Sequence, residues 1–347
     1  MKKYLKGALH VHSTMSDSLG TPQLAVDTYH RCGYDFMFFT DHKTNFDIDS
    51  QVADKYDMLV MGGVELDCGK DPKPGYDFNK EPKEDWVHRL GDNRLINEFG
   101  DPAIPHINAL GVYGTNIKFD LFDGQTGKTL ENAIDAINKE NGIPMICHPN
   151  WYFCPSFREL LDIKRDFLLE IGNNDESTCF GSFSKESMET VWDILLSKGR
   201  RVFATATDDT HHYFKTKEEP WTDYDLGCVY VWAEKNEESI KEALRRGDFY
   251  ASGGVELLEY NVTEKGISVK VKEEEGVKYC IMFKGKMGIP LRYVYGTEAD
   301  YEFQGIPDEE YVRVKVVSNK VKSSFWFTSN GVYNQACYTQ PVFRMGN

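Results

Sequence analysis

Short apolar runs alternate with amphipathic segments along roughly the first 250 residues of the chain. Eight runs have the length and composition of buried strands: residues 4–10, 34–40, 58–66, 106–112, 143–147, 166–171, 201–207 and 226–232. Helical patterns lie between several of them, which is typical of repeated βα units. The pattern therefore predicts an α/β fold with a parallel sheet.

Two of the predicted helices carry clear start and stop signals. Thr21-Pro22 supplies an N-cap and a first-turn proline for a helix that ends at Gly33. Apolar residues at i, i+3, i+4 and i+7 mark a second helix over 130–137, and Gly142 ends it. A third apolar set begins at Ile240 and ends before Gly247.

The period of the apolar positions changes after about residue 254. Apolar and polar residues alternate over 267–271 and again over 312–316, which is the pattern of half-buried strands. We therefore predict a large domain over 1–254 and a small antiparallel, β-sandwich-like domain over 255–347. Within the large domain, residues 69–105 have no clear period and are rich in Asp, Lys, Pro and Asn, so we predict an insertion there.

Composition narrows the class of partner. The chain has 347 residues and a net charge of −15, which disfavours a nucleic acid polymer or an anionic membrane as the main partner. No signal-peptide pattern and no run of about 18 apolar residues appears, so we expect a cytoplasmic protein. The eight cysteines form no CxxC pair and are expected to be reduced. Cys147 differs from the other cysteines in being adjacent in sequence to a histidine, His148.

Histidines and acidic residues cluster where the predicted strands end. His10 and His12 follow the first run, and residues i and i+2 of a strand point to the same face. Other members lie at or near the ends of later runs, with His106 the least clear case: Asp17, Asp41, His42, Glu65, His106, His148, Asp208, Asp209, His211 and His212. Imidazoles and carboxylates in this ratio suit zinc, iron or manganese. The sequence therefore predicts a multinuclear metal site.

The order of these residues resembles that of the PHP (polymerase and histidinol phosphatase) family of metal-dependent phosphoesterases. The matching stretches are His10-Val11-His12-Ser13 with Asp17, Thr40-Asp41-His42, Gly63-Val64-Glu65, His106, His148-Pro149 and Asp209-x-His211. Residues 106–111 and 249–253 are similar to the CehA/McbA-like branch of that family. The resemblance implies a distorted (β/α) barrel with a small C-terminal antiparallel β domain packed on it, and catalytic groups at the C-terminal ends of the strands.

The resemblance also implies roles for individual residues. His10, His12, Glu65 and Asp209 would hold one ion, and Glu65 would bridge to a second ion held by His106 and His148. Asp17, His42 and His211 would form a third position, where the family often has histidine in place of Asp17, so the third ion could be absent. Asp41 would orient a ligand imidazole. Asp208 and His212 are alternatives to Asp209 and His211, but only Asp209 keeps the D-x-H spacing.

The expected activity follows from this set. We expect a hydrolase that cleaves small phosphomonoesters or phosphodiesters by attack of a metal-bridging hydroxide, with Glu65, Asp209 and His211 as catalytic residues. Asn150 and Trp151 follow His148-Pro149 and are expected to bind the substrate. One alternative is a carboxylic or carbamate ester hydrolase with the same metal site, and a second is a non-catalytic glycan- or protein-binding module. The substrate, the metal and the oligomeric state remain open.

Overall fold

The structure is a computed structural model. Three β-sheets and six α-helices form most of its described part. The structure describes residues 1–42, 48–68, 104–113, 117–121, 125–150, 154–173, 187–217, 222–323 and 332–344. Trp151 and nearly all of the predicted insertion over 69–105 lie outside these residues. No helix in the described ranges is long and apolar enough to cross a membrane.

The helices are short and lie between strands. In chain order they are α1 (Pro22–Arg31), α2 (Ile48–Gln51), α3 (Thr126–Lys139), α4 (Phe157–Asp162), α5 (Met188–Ser197) and α6 (Glu237–Arg246). The prediction for α1 is confirmed, because the Thr21 side chain accepts a hydrogen bond from the amide of Leu24. Gly247 ends α6 with a φ of +80°, a conformation that favours glycine.

The strands follow the predicted apolar runs closely. They are β1 (Lys3–Ala8), β2 (Phe36–Phe38), β3 (Leu59–Met61), β4 (Gly63–Asp67), β5 (His106–Leu110), β6 (Ile143–Ile146), β7 (Phe167–Gly172), β8 (Val202–Ala206), β9 (Cys228–Ala233), β10 (Phe249–Ser252), β11 (Leu257–Val262), β12 (Gly266–Val271), β13 (Tyr279–Lys284), β14 (Pro290–Tyr295), β15 (Glu298–Glu302), β16 (Tyr311–Ser323), β17 (Val332–Thr339) and β18 (Val342–Phe343).

The parallel sheet predicted from the sequence is only partly present. One sheet has the order β4-β5-β6-β7-β8, in which β6, β7 and β8 are parallel but β5 is antiparallel to both neighbours. The second sheet has the order β14-β13-β16-β17-β10-β9-β1-β2-β3, and β18 pairs with β16 beside it. In this sheet only the neighbours β1, β2 and β3 run parallel to one another. Strand-like periodicity predicts a strand but not the direction of its neighbour, which explains the difference.

The barrel prediction is not confirmed, because no sheet closes on itself within the described ranges. The run over 58–66, predicted as one strand, divides at Gly62 into β3 and β4, which belong to different sheets. A side chain at Gly62 would meet the ring of Tyr113 at 2.8 Å, so a larger residue at this junction would require that ring to move. The two sheets nevertheless share a buried core that includes Leu5, Phe36 and Met145.

The residues after 254 form antiparallel strands, as predicted from their alternation. Val269 of β12, Ile281 of β13 and Val314 of β16 are buried in one core. Strands β11, β12 and β15 form a separate three-stranded sheet, whereas β13, β14, β16 and β17 extend the sheet that contains β1. The domain boundary near residue 254 stays a prediction.

A buried ion-pair network joins α5 to this C-terminal region. The fully buried guanidinium of Arg313 donates to Asp193 at 2.7 and 2.8 Å and to Glu189 at 2.8 Å. It also lies 4.6 Å from the ring centre of Trp192. Lys284 adds a second cation, 2.7 Å from Glu189. Each buried charge therefore has a partner of opposite sign, which the interior requires.

Candidate metal centre

The ends of several strands meet at one edge of the fold. Parallel bridges join Val11 to Thr210 and His42 to Glu65. The amide of His12 donates to the carbonyl of Thr210 at 3.2 Å. These contacts fix the segments after β1, β2 and β8 next to β4, and they place side chains that are far apart in sequence around one point.

His106 joins the same edge from the start of a strand rather than from its end. It is the first residue of β5 and pairs with Asp67, the last residue of the antiparallel strand β4. Its carbonyl also accepts a hydrogen bond from the amide of Cys147, which precedes His148. Because β5 runs against its neighbours, its first residue lies where their last residues lie.

Four ligand-type atoms of His10, His12, Glu65 and Asp209 lie close together. The two Nε2 atoms are 3.1 Å apart, and each lies 3.2 Å from Glu65 Oε2 and 3.1 Å from Asp209 Oδ1. Four ligand atoms around a tetrahedral zinc ion, with bonds of about 2.0 Å, would lie about 3.3 Å from one another. The observed separations therefore match the size of a four-coordinate site.

The carboxylate oxygens in this group support the same fit. Glu65 Oε2 and Asp209 Oδ1 are buried and have no hydrogen-bond partner among the described residues. A buried anionic oxygen without a donor is costly unless a cation faces it. The donor set of two imidazoles and two carboxylates suits zinc, iron or manganese. These residues therefore fit a divalent metal ion.

Electrostatic coupling is strong within the group. Burial alone would lower the pKa of His10, but the negative charges of Asp209 and Glu65 outweigh burial and raise it well above its ordinary value. Burial would raise the pKa of Glu65, but the charges of His42 and His10 hold it well below its ordinary value. Without a metal, imidazolium ions thus balance the carboxylates.

Glu170 supports the site and was not predicted from the sequence. Its Oε1 accepts from His10 Nδ1 at 2.8 Å and from the Thr207 hydroxyl at 2.8 Å. Its Oε2 accepts from the amide of His148 and the side chain of Asn173, both at 2.8 Å. A proton on His10 Nδ1 leaves Nε2 free to face the centre. The available signal was a single glutamate inside the apolar run over 167–171, which is buried in β7.

A second group of imidazoles faces the other carboxylate oxygen of Glu65, Oε1. Glu65 Oε1 is 2.9 Å from His106 Nδ1 and 3.1 Å from His148 Nε2. The two oxygens of one buried carboxylate therefore face two different groups of histidines, and the group on Oε2 also includes His42, whose Nε2 lies at 3.4 Å. Asp67 was also missed, although it lies two residues after Glu65 on β4, and its Oδ1 is 3.3 Å from His42 Nδ1.

His42 and His211, two of the residues expected at the third position, flank the third, Asp17, whose carboxylate is more exposed than that of Glu65. Asp17 Oδ1 lies 3.4 Å from His211 Nε2, and Asp17 Oδ2 lies 3.5 Å from His42 Nε2. Burial would lower the pKa of both histidines, but Glu65 chiefly raises that of His42 to about 9, and Asp17 chiefly raises that of His211 to about 10. The side chain of Asp17 is half exposed, in contrast to that of Glu65.

The tandem acids have different surroundings. Asp208 is held away from the histidines by the amides of Leu226 and Gly227, both at 2.7 Å, and by the hydroxyl of Tyr29 at 2.8 Å. Burial raises the pKa of Asp208 to about 6. His212 pairs with Asp223 at 2.8 Å. The geometry therefore places Asp209 and His211, not Asp208 and His212, among the clustered side chains.

The sequence led us to expect Asp41 to orient a ligand imidazole, but among the described residues it contacts no imidazole directly. It accepts hydrogen bonds from the hydroxyls of Ser13 at 2.9 Å and Ser16 at 2.7 Å. Ser16 Oγ lies 3.4 Å from His12 Nδ1, so Asp41 reaches that ring only through Ser16. The short side chain of Asp41 instead fixes the loop that carries Asp17.

A cavity of about 210 Å³ adjoins His148 along the chain. Its lining includes Pro149, the buried side chain of Asn150, Arg158 and Met188. Asn150 was expected to bind the substrate, and that role stays a prediction. Trp151, the other residue expected to bind substrate, is outside the described residues.

Comparison with known proteins gives remote likenesses. No protein-family model matches the chain. A segment of 98 residues is 33% identical to phosphoribosyl 1,2-cyclic phosphate 1,2-diphosphodiesterase of Eggerthella lenta, and this segment covers 28% of this chain and 32% of that enzyme. The chain thus matches about a third of the length of that curated relative.

Two solved structures are similar over more of the chain. One is a two-domain protein of Bacteroides vulgatus containing a predicted PHP-like metal-dependent phosphoesterase. The sequences are 17% identical, the alignment covers 91% of this chain and 90% of that chain, and the TM-score is 0.47. The other is an amidohydrolase of Chromobacterium violaceum with bound sulfate and no metal. The sequences are 13% identical, the alignment covers 63% of this chain and 90% of that chain, and the TM-score is 0.39. The CehA/McbA-like branch stays a prediction.

Proposed function

We propose that this chain is a metal-dependent phosphoester hydrolase of the PHP family. The observation that carries the proposal is the position of Glu65, a fully buried carboxylate whose two oxygens face separate groups of imidazoles. A carboxylate so placed can hold two cations close together, and paired cations suit phosphoryl transfer because negative charge spreads over several oxygens in the transition state.

The proposed ligand sets follow the distances. His10, His12, Glu65 and Asp209 would hold one ion, and Glu65 with His106 and His148 would hold a second. Asp17, His42 and His211 would form a third position near the solvent. When bound, such ions would lower the pKa of a water molecule and polarise a phosphoryl oxygen.

The side chains of this protein would orient the reacting groups. Glu170 keeps the proton of His10 on Nδ1 and so fixes which ring nitrogen faces the centre. With the third position empty, His211 Nε2, beside Asp17 at the more exposed rim, would stabilise the leaving oxygen. Ser13 and Ser16, the hydroxyl side chains next to His12, donate to Asp41.

We infer that the cavity lined by Pro149, the residue that follows His148 in the sequence, receives the non-reacting part of a small substrate. Asn150 and Arg158 offer polar contacts to a phosphate ester whose non-reacting part fits about 210 Å³. The enzyme of Eggerthella lenta that matches 98 residues is named for a cyclic phosphate diester, which supports a small phosphodiester as a candidate alongside phosphomonoesters.

Parallel assays test the proposed reaction class. Purified protein is loaded with zinc, iron or manganese and tested on aryl phosphate, bis-aryl phosphate and aryl carboxylic ester substrates, with Glu65→Gln as the matched inactive control. We expect hydrolysis of at least one phosphate ester that Glu65→Gln loses. Rapid cleavage of aryl esters with negligible cleavage of every phosphate ester would replace this function with that of a carboxylic ester hydrolase.

A further inference from the structure

A basic cleft lies at the opposite ends of the strands that carry the metal-centre residues. Its volume is about 500 Å³, and it opens at the first residues of β6, β7 and β8 and at the C-terminal ends of α3 and α6. The side chains His148, Glu170 and Asp209 lie at or beyond the other ends of those strands. The cleft is therefore separate from the proposed active site.

The cleft concentrates positive charge on an acidic protein. Lys164, Arg165, Arg201 and Arg245 line it, against a single acidic lining residue, Asp166. Arg165 is neutralised by Asp135, at 2.7 and 2.8 Å. The other three cations form no ion pair within the described residues, although the whole chain has a net charge of −15.

Two of the arginines are held in place by neutral acceptors. Arg245 donates to the carbonyl and the side-chain oxygen of Asn141, at 2.8 and 2.7 Å. Arg201 lies 5.5 Å from the ring centre of Phe203 and donates to the carbonyl of Arg245 at 3.5 Å. Each guanidinium has five N–H donors, so donors remain for an anion.

The floor of the cleft is apolar. Phe167, Leu168 and Phe203 line it and are themselves almost fully buried, so the floor is part of the core and is preformed. An apolar floor beside ordered guanidinium groups suits a ligand with a flat apolar body and a phosphate. We propose that this cleft binds a small organic phosphate of the nucleoside monophosphate type. The proposal does not depend on the proposed hydrolase activity.

Calorimetric titration of the full, metal-loaded chain tests this site. The probe is the phosphonate analogue of AMP, in which a methylene group replaces the ester oxygen so that the metal centre cannot hydrolyse it. We expect saturable binding that becomes about five- to tenfold weaker in Arg201→Gln and in Arg245→Gln. Arg292→Gln, which removes an exposed arginine near Asp300, is the matched control and should bind as the wild type does.

Glu65→Gln separates the cleft from the metal centre, because binding in the cleft should survive that change. The proposal is overturned if the probe does not bind, if both cleft variants bind with wild-type affinity, or if only Glu65→Gln loses binding. Equal affinity for inorganic phosphate would also overturn it, since the apolar floor would then contribute nothing. Arg201→Gln keeps the test valid if Arg245→Gln unfolds, because Arg201 makes no contact with Asn141.

Discussion

His10 Nδ1 lies 2.8 Å from Glu170 Oε1, and this contact determines which nitrogen of the His10 ring faces Glu65 and Asp209. Glu170 is itself held by Thr207 and Asn173, so its carboxylate has little freedom to turn away. An orienting carboxylate of this kind strengthens a ligand imidazole without touching the metal ion. The metal centre therefore includes a residue that the sequence motifs do not contain.

Replacing Glu170 with alanine should weaken metal binding without removing a ligand. We expect metal affinity to fall about 10- to 100-fold, because His10 loses the partner that fixes its tautomer. Competition with a chromophoric chelator measures the affinity. Glu242→Ala, an exposed residue on α6, is the control. Wild-type affinity in Glu170→Ala would show that the contact does not orient His10.

Asp17→Ala should separate phosphate ester from carboxylic ester hydrolysis. Asp17 lies between His42 and His211, so its loss weakens only the proposed third position. A phosphoryl transition state gains more from an additional cationic centre than a single oxyanion does. We expect kcat on a phosphate ester to fall much more than any side activity on an aryl ester. Equal losses on both substrates would contradict a separate role for this position.

Metal binding should release protons at neutral pH. The pKa of His42 is about 9 and that of His211 about 10 in the metal-free protein, where burial lowers both values but nearby carboxylates raise them further. Both rings are thus protonated at pH 7.5 and must lose a proton to bind a metal ion, so apparent affinity should rise with pH. Calorimetry at pH 7.5 in two buffers of different ionisation enthalpy measures this. A binding enthalpy independent of the buffer would contradict it.

Several of these residues could not be placed from the sequence alone. His106 fits no rule based on strand ends until β5 is known to be antiparallel, and strand periodicity does not specify direction. The D-x-H spacing favours Asp209 over its neighbour Asp208, but only the structure shows that Asp208 instead accepts hydrogen bonds from the backbone amides of Leu226 and Gly227. By contrast, the positions of the strands and the grouping of His10 with His12 follow directly from apolar periodicity and i, i+2 spacing.

The network around Arg313 gives a prediction about stability. Arg313→Ala would leave Glu189 and Asp193 buried without their main cation, at a cost of about 3–5 kcal/mol in the free energy of unfolding. Chemical denaturation measures this cost. Arg292→Ala, which removes an exposed ion pair with Asp300, should cost less than about 1 kcal/mol. Similar losses in the two variants would contradict the network's role.

The same network should make stability depend on acid pH. Burial would raise the pKa of Glu189, but Arg313 and Lys315 lower it below its ordinary value of 4.5. The contribution of ionised Glu189 to the free energy of unfolding is therefore fully present above about pH 4.5 and is lost progressively as the pH falls below that value. The wild type should lose more stability than Arg313→Ala between pH 6 and pH 3. Parallel pH profiles for the two proteins would contradict this assignment.

The metal content of Glu65→Gln tests the central claim most directly. Elemental analysis of the purified wild type, Glu65→Gln and His148→Asn, all loaded under the same conditions, gives the number of ions per chain. A carboxylate whose oxygens face two groups of imidazoles should serve two ions, so Glu65→Gln should lose more than one ion per chain and all hydrolytic activity, whereas His148→Asn should lose at most one. Wild-type metal content and activity in Glu65→Gln would contradict the account.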